Sequence, residues 1–243
     1  MTMGIFTASG LKSIAIILMV INHFSTLPLP VWDSFPFLFR LQWCVTRIAY
    51  PLFAFLLAEG MAHTRSREKY MLRLLILAVV SQPIYGWALI DGPLTTSSLN
   101  VFFDLLGGTL AIDTVDRFKD NNRTAIPVLL LALCVLSVRF AFSYNVVGVL
   151  LPLLFYLFRS DRKRMGAVLV PAIPLLVLAM YWIGYGRPWG SFGFFMCSEF
   201  CMVFSLPFIL LYDGEKGKQL PKWFYYGFYP AHLLLLGLTR LLF

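Results

Sequence analysis

Apolar runs about as long as a bilayer is thick recur along this chain, and that recurrence limits its fold more than any other feature. A helix needs about 20 mostly apolar residues to cross the hydrocarbon core. Segments of that kind run over 11–30, 42–62, 70–90, 98–117, 124–142, 144–159, 166–184, 191–212 and 223–242. They are continuously apolar and lack the period-two alternation of barrel strands, so helices are the expected element. Of the 243 residues 59% are hydrophobic and 13% charged, which is more apolar surface than one soluble core could hide. The expected fold is all-α, a polytopic transmembrane helix bundle of about nine spans forming a single domain over 1–243. The first run has no small-residue cleavage site and reads as a retained span. Pro28, Pro30 and Pro36 with Trp32 predict an extended outer loop, and Gly184, Gly186, Pro188 and Gly190 predict a second outer turn.

The charge pattern supplies a direction. The formal net charge is +8, but the basic residues lie in short loops between apolar runs, which is a topology signal and not a nucleic-acid surface. Lys12, Arg65, Arg67, Lys69, Arg73, Arg117, Lys119, Arg123, Arg159, Arg162, Lys163, Arg164, Lys216, Lys218 and Lys222 fall on one side. Arg40, Arg47, Arg139, Arg187 and Arg240 fall on the other. The positive-inside rule then predicts a cytoplasmic N-terminus and an outer C-terminus. Cys44, Cys134, Cys197 and Cys201 lack the His or Cys spacing of a metal site and read as packed thiols. No serine elbow, phosphate loop or dinucleotide turn is present.

Ionisable groups inside a bilayer cost several kcal/mol unless paired or solvated, so they are the first place to look for function. His23 lies about twelve residues into the first run, in the outer half of the membrane by helical rise. Arg47 stands near the outer start of the second and can approach His23. Asn100 and Asp104 are one turn apart at the outer start of the fourth, and Ser143, Tyr144 and Asn145 turn into the sixth. Glu199 and His232 sit near the middle of the last two runs, and Glu59 lies toward the inner end of the second. Each also has a structural use. Arg47 and Asp104 would suit each other as an ion pair, Glu59 suits a solvated helix end, and His63 suits ordinary surface. His23, Arg47, Asn100, Asp104 and His232 nevertheless share one depth, and a histidine can act as a base near neutral pH.

Short strings along nearly the whole chain carry a family likeness. They are Leu11-Lys12-Ser13-Ile14-Ala15 with Met19-Val20-Ile21-Asn22-His23; Arg47-Ile48-Ala49-Tyr50-Pro51-Leu52-Phe53-Ala54-Phe55 with Glu59-Gly60; and Lys69-Tyr70 with Arg73-Leu74. Asn100-Val101-Phe102-Phe103 ahead of Gly107 and Tyr144 ahead of Gly148-Val149-Leu150 follow. Tyr212-Asp213-Gly214-Glu215-Lys216-Gly217 and Phe228-Tyr229-Pro230-Ala231-His232-Leu233 complete the set. In this order they resemble the TraX family, which is linked to acetylation of the amino terminus of conjugative pilin and is similar to a wider set of transmembrane acyltransferases.

That resemblance implies an acetyltransferase that takes its acetyl group from cytosolic acetyl-CoA and passes it across the membrane. The acceptor would be a pilin-like peptide amine, a glycan or a small molecule. By position His23 is the implied base, with Arg47, His232 and Asp104 as its catalytic companions. Asn22, Asn100, Glu59, Arg65, Arg73, Tyr144 and Glu199 are the candidates for binding the acyl-CoA donor, its phosphates facing the basic inner loops. No metal is implied. Two positions depart from the family pattern. Asn22 replaces an acidic residue before the first His, and an amide can orient a ring but supplies no charge. Ser143 stands where many relatives have Asp. The buried polar set also suits an ion-coupled transporter, which would show broken helices and an inverted repeat, or a non-catalytic assembly subunit of the same fold.

Overall fold

The computed structural model describes residues 4–27, 29–90, 92, 97–185 and 192–242. Its helices are α1 (Ala8–Phe24), α2 (Pro30–Ser34), α3 (Pro36–Thr46), α4 (Ala49–His63), α5 (Arg67–Leu89) and α6 (Val101–Phe118). They continue with α7 (Ala125–Arg139), α8 (Asn145–Phe158), α9 (Arg162–Ala179), α10 (Phe192–Phe200), α11 (Leu206–Leu210) and α12 (Lys222–Arg240). A π-turn over Met180–Tyr185 extends α9, and a 3₁₀ turn over Cys201–Ser205 joins α10 to α11. Among the described residues there are no strands, and two isolated bridges pair Phe6 with Tyr212 and Leu99 with Phe142. Three helices are long and apolar enough to cross a membrane, Pro36–His63, Arg67–Leu89 and Arg162–Ile183, and shorter apolar helices accompany them.

Helix by helix, the structure departs from the sequence expectation in three places. The first run ends early. Its helix stops at Phe24, because the Ser25 hydroxyl takes the Asn22 carbonyl (2.6 Å) and the Thr26 hydroxyl takes the His23 carbonyl (2.7 Å). His23 therefore sits in the last turn of a 17-residue helix, about 26 Å long. The loop that follows is not extended. Pro30 and Pro36 occupy first-turn positions of α2 and α3, where a missing N–H costs nothing. The eighth run is not one helix, since the 3₁₀ turn breaks it at Cys201. Of the residues expected to mark outer turns, Pro28, Gly186, Pro188 and Gly190 lie outside the described residues, as does Arg187.

The described residues form two compact units. One comprises 1–53, 80–95 and 190–243, the other 54–79 and 96–189. In the first unit, α1 buries Leu11, Ala15 and Met19 at a four-residue spacing and exposes Ile17, Ile21 and Phe24. His23 is the next position on that buried stripe. On α12, Tyr229, His232, Leu233 and Leu236 form the buried stripe, and Leu234, Leu235 and Leu238 are exposed. The start of α1 is clasped by the loop before α12. The Ala8 and Ser9 amides donate to the Glu215 and Lys216 carbonyls (2.8 and 3.1 Å), and the Thr7 hydroxyl caps Gly10 N–H. Gly217 has φ +63°, and a Cβ there would meet the Thr7 Oγ1 at 2.5 Å. The glycine turn of the sequence thus ties the two histidine-bearing helices together at their N-terminal ends.

In the second unit α8 is the central helix, apolar all round and buried from Asn145 to Val149 and again at Leu151, Leu153 and Phe155. It packs on α6 through small residues, as membrane helices do. A Cβ on Gly108 would lie 2.6 Å from Pro152, and one on Gly148 would overlap the Asp104 carboxylate. Gly148→Ala is expected to destabilise this unit by about 1–3 kcal/mol through overpacking, read as a lower thermal midpoint in detergent. Ala141, beyond the end of α7, takes φ +50° while its carbonyl accepts from Leu99 N–H at 2.8 Å. Left-handed backbone penalises a Cβ by about 1–2 kcal/mol, so Ala141→Gly is expected to raise the same midpoint. Rows of exposed Leu, Ile and Val on α5 (Leu72, Leu75, Ile76, Val79), α7 (Val128, Leu131, Val135) and α9 (Val170, Leu175) suit contact with lipid.

Candidate functional site

The two buried stripes of the first unit bring His23 and His232 into direct contact. His23 Nδ1 lies 2.8 Å from His232 Nε2. The rings are within 8° of parallel, with centroids 5.1 Å apart. That separation is what two imidazoles joined nitrogen to nitrogen give, so the rings lie edge to edge in one plane. His232 Nδ1 lies 3.0 Å from the Phe228 carbonyl oxygen, one turn back on α12. Phe228 stacks on His232 (5.4 Å, 16°), and Tyr229 meets both imidazoles edge-on, at 6.2 Å from His23 and 5.3 Å from His232. Aromatic rings of α12 thus line the pair, whose two histidines lie 209 residues apart in sequence.

Asn22 anchors the approach of α3 to α1. Its Oδ1 accepts from the Thr46 hydroxyl at 3.0 Å. The amide therefore faces α3, consistent with adjacent helical residues pointing apart. One residue beyond Thr46, Arg47 pairs with Glu199 on α10, Nε to Oε1 at 3.0 Å, with side-chain exposures of 10% and 5%. Its guanidinium lies 4.4 Å from the Trp43 ring centre. Arg47 is thus paired with Glu199 within the first unit. The first unit collects His23, His232, Asn22, Arg47 and Glu199.

The remaining sequence candidates belong to the second unit. Asn100 caps α6, accepting Phe102 N–H at 3.1 Å, and donates to the Ala78 carbonyl at 2.8 Å. Asp104 is fully buried, and its Oδ1 accepts from Tyr144 N–H at 2.9 Å, at the start of α8. Asn100, Asp104 and Tyr144 are therefore engaged with helix ends. Glu59 faces His63 at 3.7 Å on α4. Arg65 and Arg73 are exposed around the start of α5, with Arg73 Nε donating to the Lys69 carbonyl at 2.9 Å.

One polar network escaped the sequence reading. Arg67 Nη2 donates to Asp116 Oδ2 (2.6 Å) and to the Tyr156 hydroxyl (2.9 Å), which itself donates to Asp116 (2.5 Å). Asp113 pairs with Arg117 at 2.5 Å and lies 3.9 Å from Arg67. The signal was available: Asp113 and Asp116 are three apart on a helix otherwise rich in apolar residues. Among the described residues no group of His, Cys, Asp and Glu is arranged to hold a metal ion.

Compared with known proteins, the chain matches the TraX protein family over residues 7–240. It is 30% identical over 237 residues to the "Probable fimbrial assembly protein FimC, serogroup H1" of Dichelobacter nodosus, which covers 95% of this chain and 94% of that protein. No solved structure matches it.

Proposed function

We propose that this chain, which belongs to the TraX family, is a membrane-embedded acetyltransferase. It moves an acetyl group from cytosolic acetyl-CoA to an amine or hydroxyl acceptor at the outer side of a bacterial inner membrane. The observation that carries this reading is the His23–His232 pair, two imidazoles in hydrogen-bond contact on the buried stripes of two apolar helices. Placing two such groups together between apolar helices is costly without a use for them. A neutral imidazole is a base matched to neutral pH, and general base catalysis is what an amine or hydroxyl needs to attack a thioester.

In this reading nine spans run from a cytoplasmic N-terminus to an outer C-terminus. The basic inner loops, Arg65 and Arg73 among them, attract the phosphates of the donor, and Glu59 lies beside them. His23 acts as the base. Arg47 with Glu199, and Asn22 through Thr46, keep α3 fixed against it, while Asn100, Asp104 and Tyr144 hold the α6–α8 pair together. Exclusion of bulk water limits loss of the thioester to hydrolysis. The fimbrial assembly relative favours a pilin-like peptide amine as acceptor over a glycan or small molecule.

The same relative also favours a second reading, a non-catalytic subunit in fimbrial assembly. Purified protein separates the two. Acetyltransferase function predicts label passing from radioactive acetyl-CoA to a peptide amine, and a rise in thermal midpoint with coenzyme A of about 2.7 kcal/mol equivalent at 100-fold excess over Kd. No transfer and no protection would leave the assembly reading standing. Substrate uptake into proteoliposomes without acetylation would instead indicate a transporter.

A further inference from the structure

We propose that the two histidines have unequal roles: His23 Nε2 is the proton-accepting nitrogen, and His232 is a positioning residue that fixes the His23 tautomer through the Phe228 carbonyl. This rests on the acetyltransferase reading for its chemistry, though the hydrogen-bond direction stands on geometry alone. The Phe228 oxygen can only accept, so the nitrogen 3.0 Å from it, His232 Nδ1, carries the hydrogen. In a neutral ring the other nitrogen, His232 Nε2, is then a bare acceptor. The nitrogen 2.8 Å from it, His23 Nδ1, must donate. That leaves the lone pair of the whole pair on His23 Nε2. The opposite direction would set a bare His232 Nδ1 against a carbonyl oxygen, two acceptors facing each other.

The coplanar arrangement supports this chain of bonds, because an imidazole donates and accepts in its ring plane. The device has the logic of a base whose tautomer is set by a partner on its second nitrogen. Here a second imidazole anchored on a helix carbonyl takes the place of a carboxylate. It also offers a role that Asn22 does not fill, since the Asn22 side chain is turned to Thr46.

The resulting step balances. The acceptor, as a neutral amine or hydroxyl, bonds through N or O to the thioester carbonyl carbon and loses its proton to His23 Nε2. The His23 imidazolium is stabilised by the Nδ1–H bond to His232. The carbon–sulfur bond then breaks, and the proton passes from Nε2 to the departing thiolate, giving the acetylated acceptor and free coenzyme A. His232 never touches the reacting atoms.

Two readouts test the assignment. Gln can place an acceptor oxygen near the position of His232 Nε2, whereas Ala cannot. His232→Gln is therefore expected to keep acetyl transfer within about 5-fold of wild type with its pH profile preserved, and His232→Ala to lose about 100-fold. Equal losses in the two variants would overturn the positioning role. The second readout needs no activity. Diethyl pyrocarbonate acylates an imidazole lone pair, and mass spectrometry locates the adduct. Modification is expected at His23 and at the exposed His63, with His232 spared. Modification of His232, or of neither member of the pair, would overturn the tautomer assignment. Absence of acetyl transfer in the wild-type protein would instead overturn the functional reading, and the modification pattern alone would then decide the hydrogen-bond direction.

Discussion

His23→Ala is expected to lower the rate of acetyl transfer by roughly 10²–10⁴-fold, the usual contribution of a positioned general base. The fold should survive it. His23 stands in the last turn of α1, one turn beyond Met19, and α1 remains held by its clasp to the 215–216 backbone and by Asn22 to Thr46. The variant should therefore melt close to wild type while failing in turnover. A rate within 3-fold of wild type, measured with saturating acetyl-CoA and acceptor, would remove His23 from the mechanism.

The largest effect on stability is expected at the Arg47–Glu199 pair. Both groups are nearly buried, and removing one member of a buried pair leaves an uncompensated charge that costs about 3–5 kcal/mol. Glu199→Ala should lower the thermal midpoint on the order of 10 °C. Replacing both residues with methionine should recover most of that loss, because a buried ion pair and a well-packed apolar pair are often close in stability. The double variant also separates structure from chemistry. If the pair only fixes α3 against α10, the recovered protein transfers acetyl groups. If Arg47 also stabilises charge in the reaction, the recovered protein is stable and slow. A double variant as unstable as Glu199→Ala would show that the two residues do not pair.

The helical fold was legible because a bilayer leaves few alternatives, and long apolar runs read directly as helices. Their ends were less legible. The first run extends to residue 30 by the length of its apolar pattern, yet its helix stops at Phe24, where two hydroxyls take the carbonyls of the last turn. The prolines of 30–36 looked like loop residues and proved to be helix starts. His23 and His232 are marked in the sequence by their shared depth, and their mutual contact in the structure comes from the packing of the buried stripes of α1 and α12. The partner of Arg47 is not so marked. The pairing of Arg47 with Glu199 depends on which helix faces meet, and a count of residues along ideal helices carries no information about that. The Asp104 carboxylate accepts from Tyr144 N–H. The Arg67–Asp113–Asp116–Tyr156 network was overlooked for a related reason. Lys and Arg alone mark the topology, whereas Asp113 and Asp116 pair with Arg117 and Lys119, four and three residues along the chain, and with Arg67 of α5.

The central claim, transfer across a bilayer through the His23–His232 pair, is tested most directly in sealed proteoliposomes. Labelled acetyl-CoA is supplied on the side of the basic loops, and a peptide amine acceptor is enclosed on the other. The account predicts labelled acceptor inside vesicles holding the wild-type protein and background label with His23→Ala. Unlabelled acceptor in wild-type vesicles, or equal labelling by the two proteins, would contradict it.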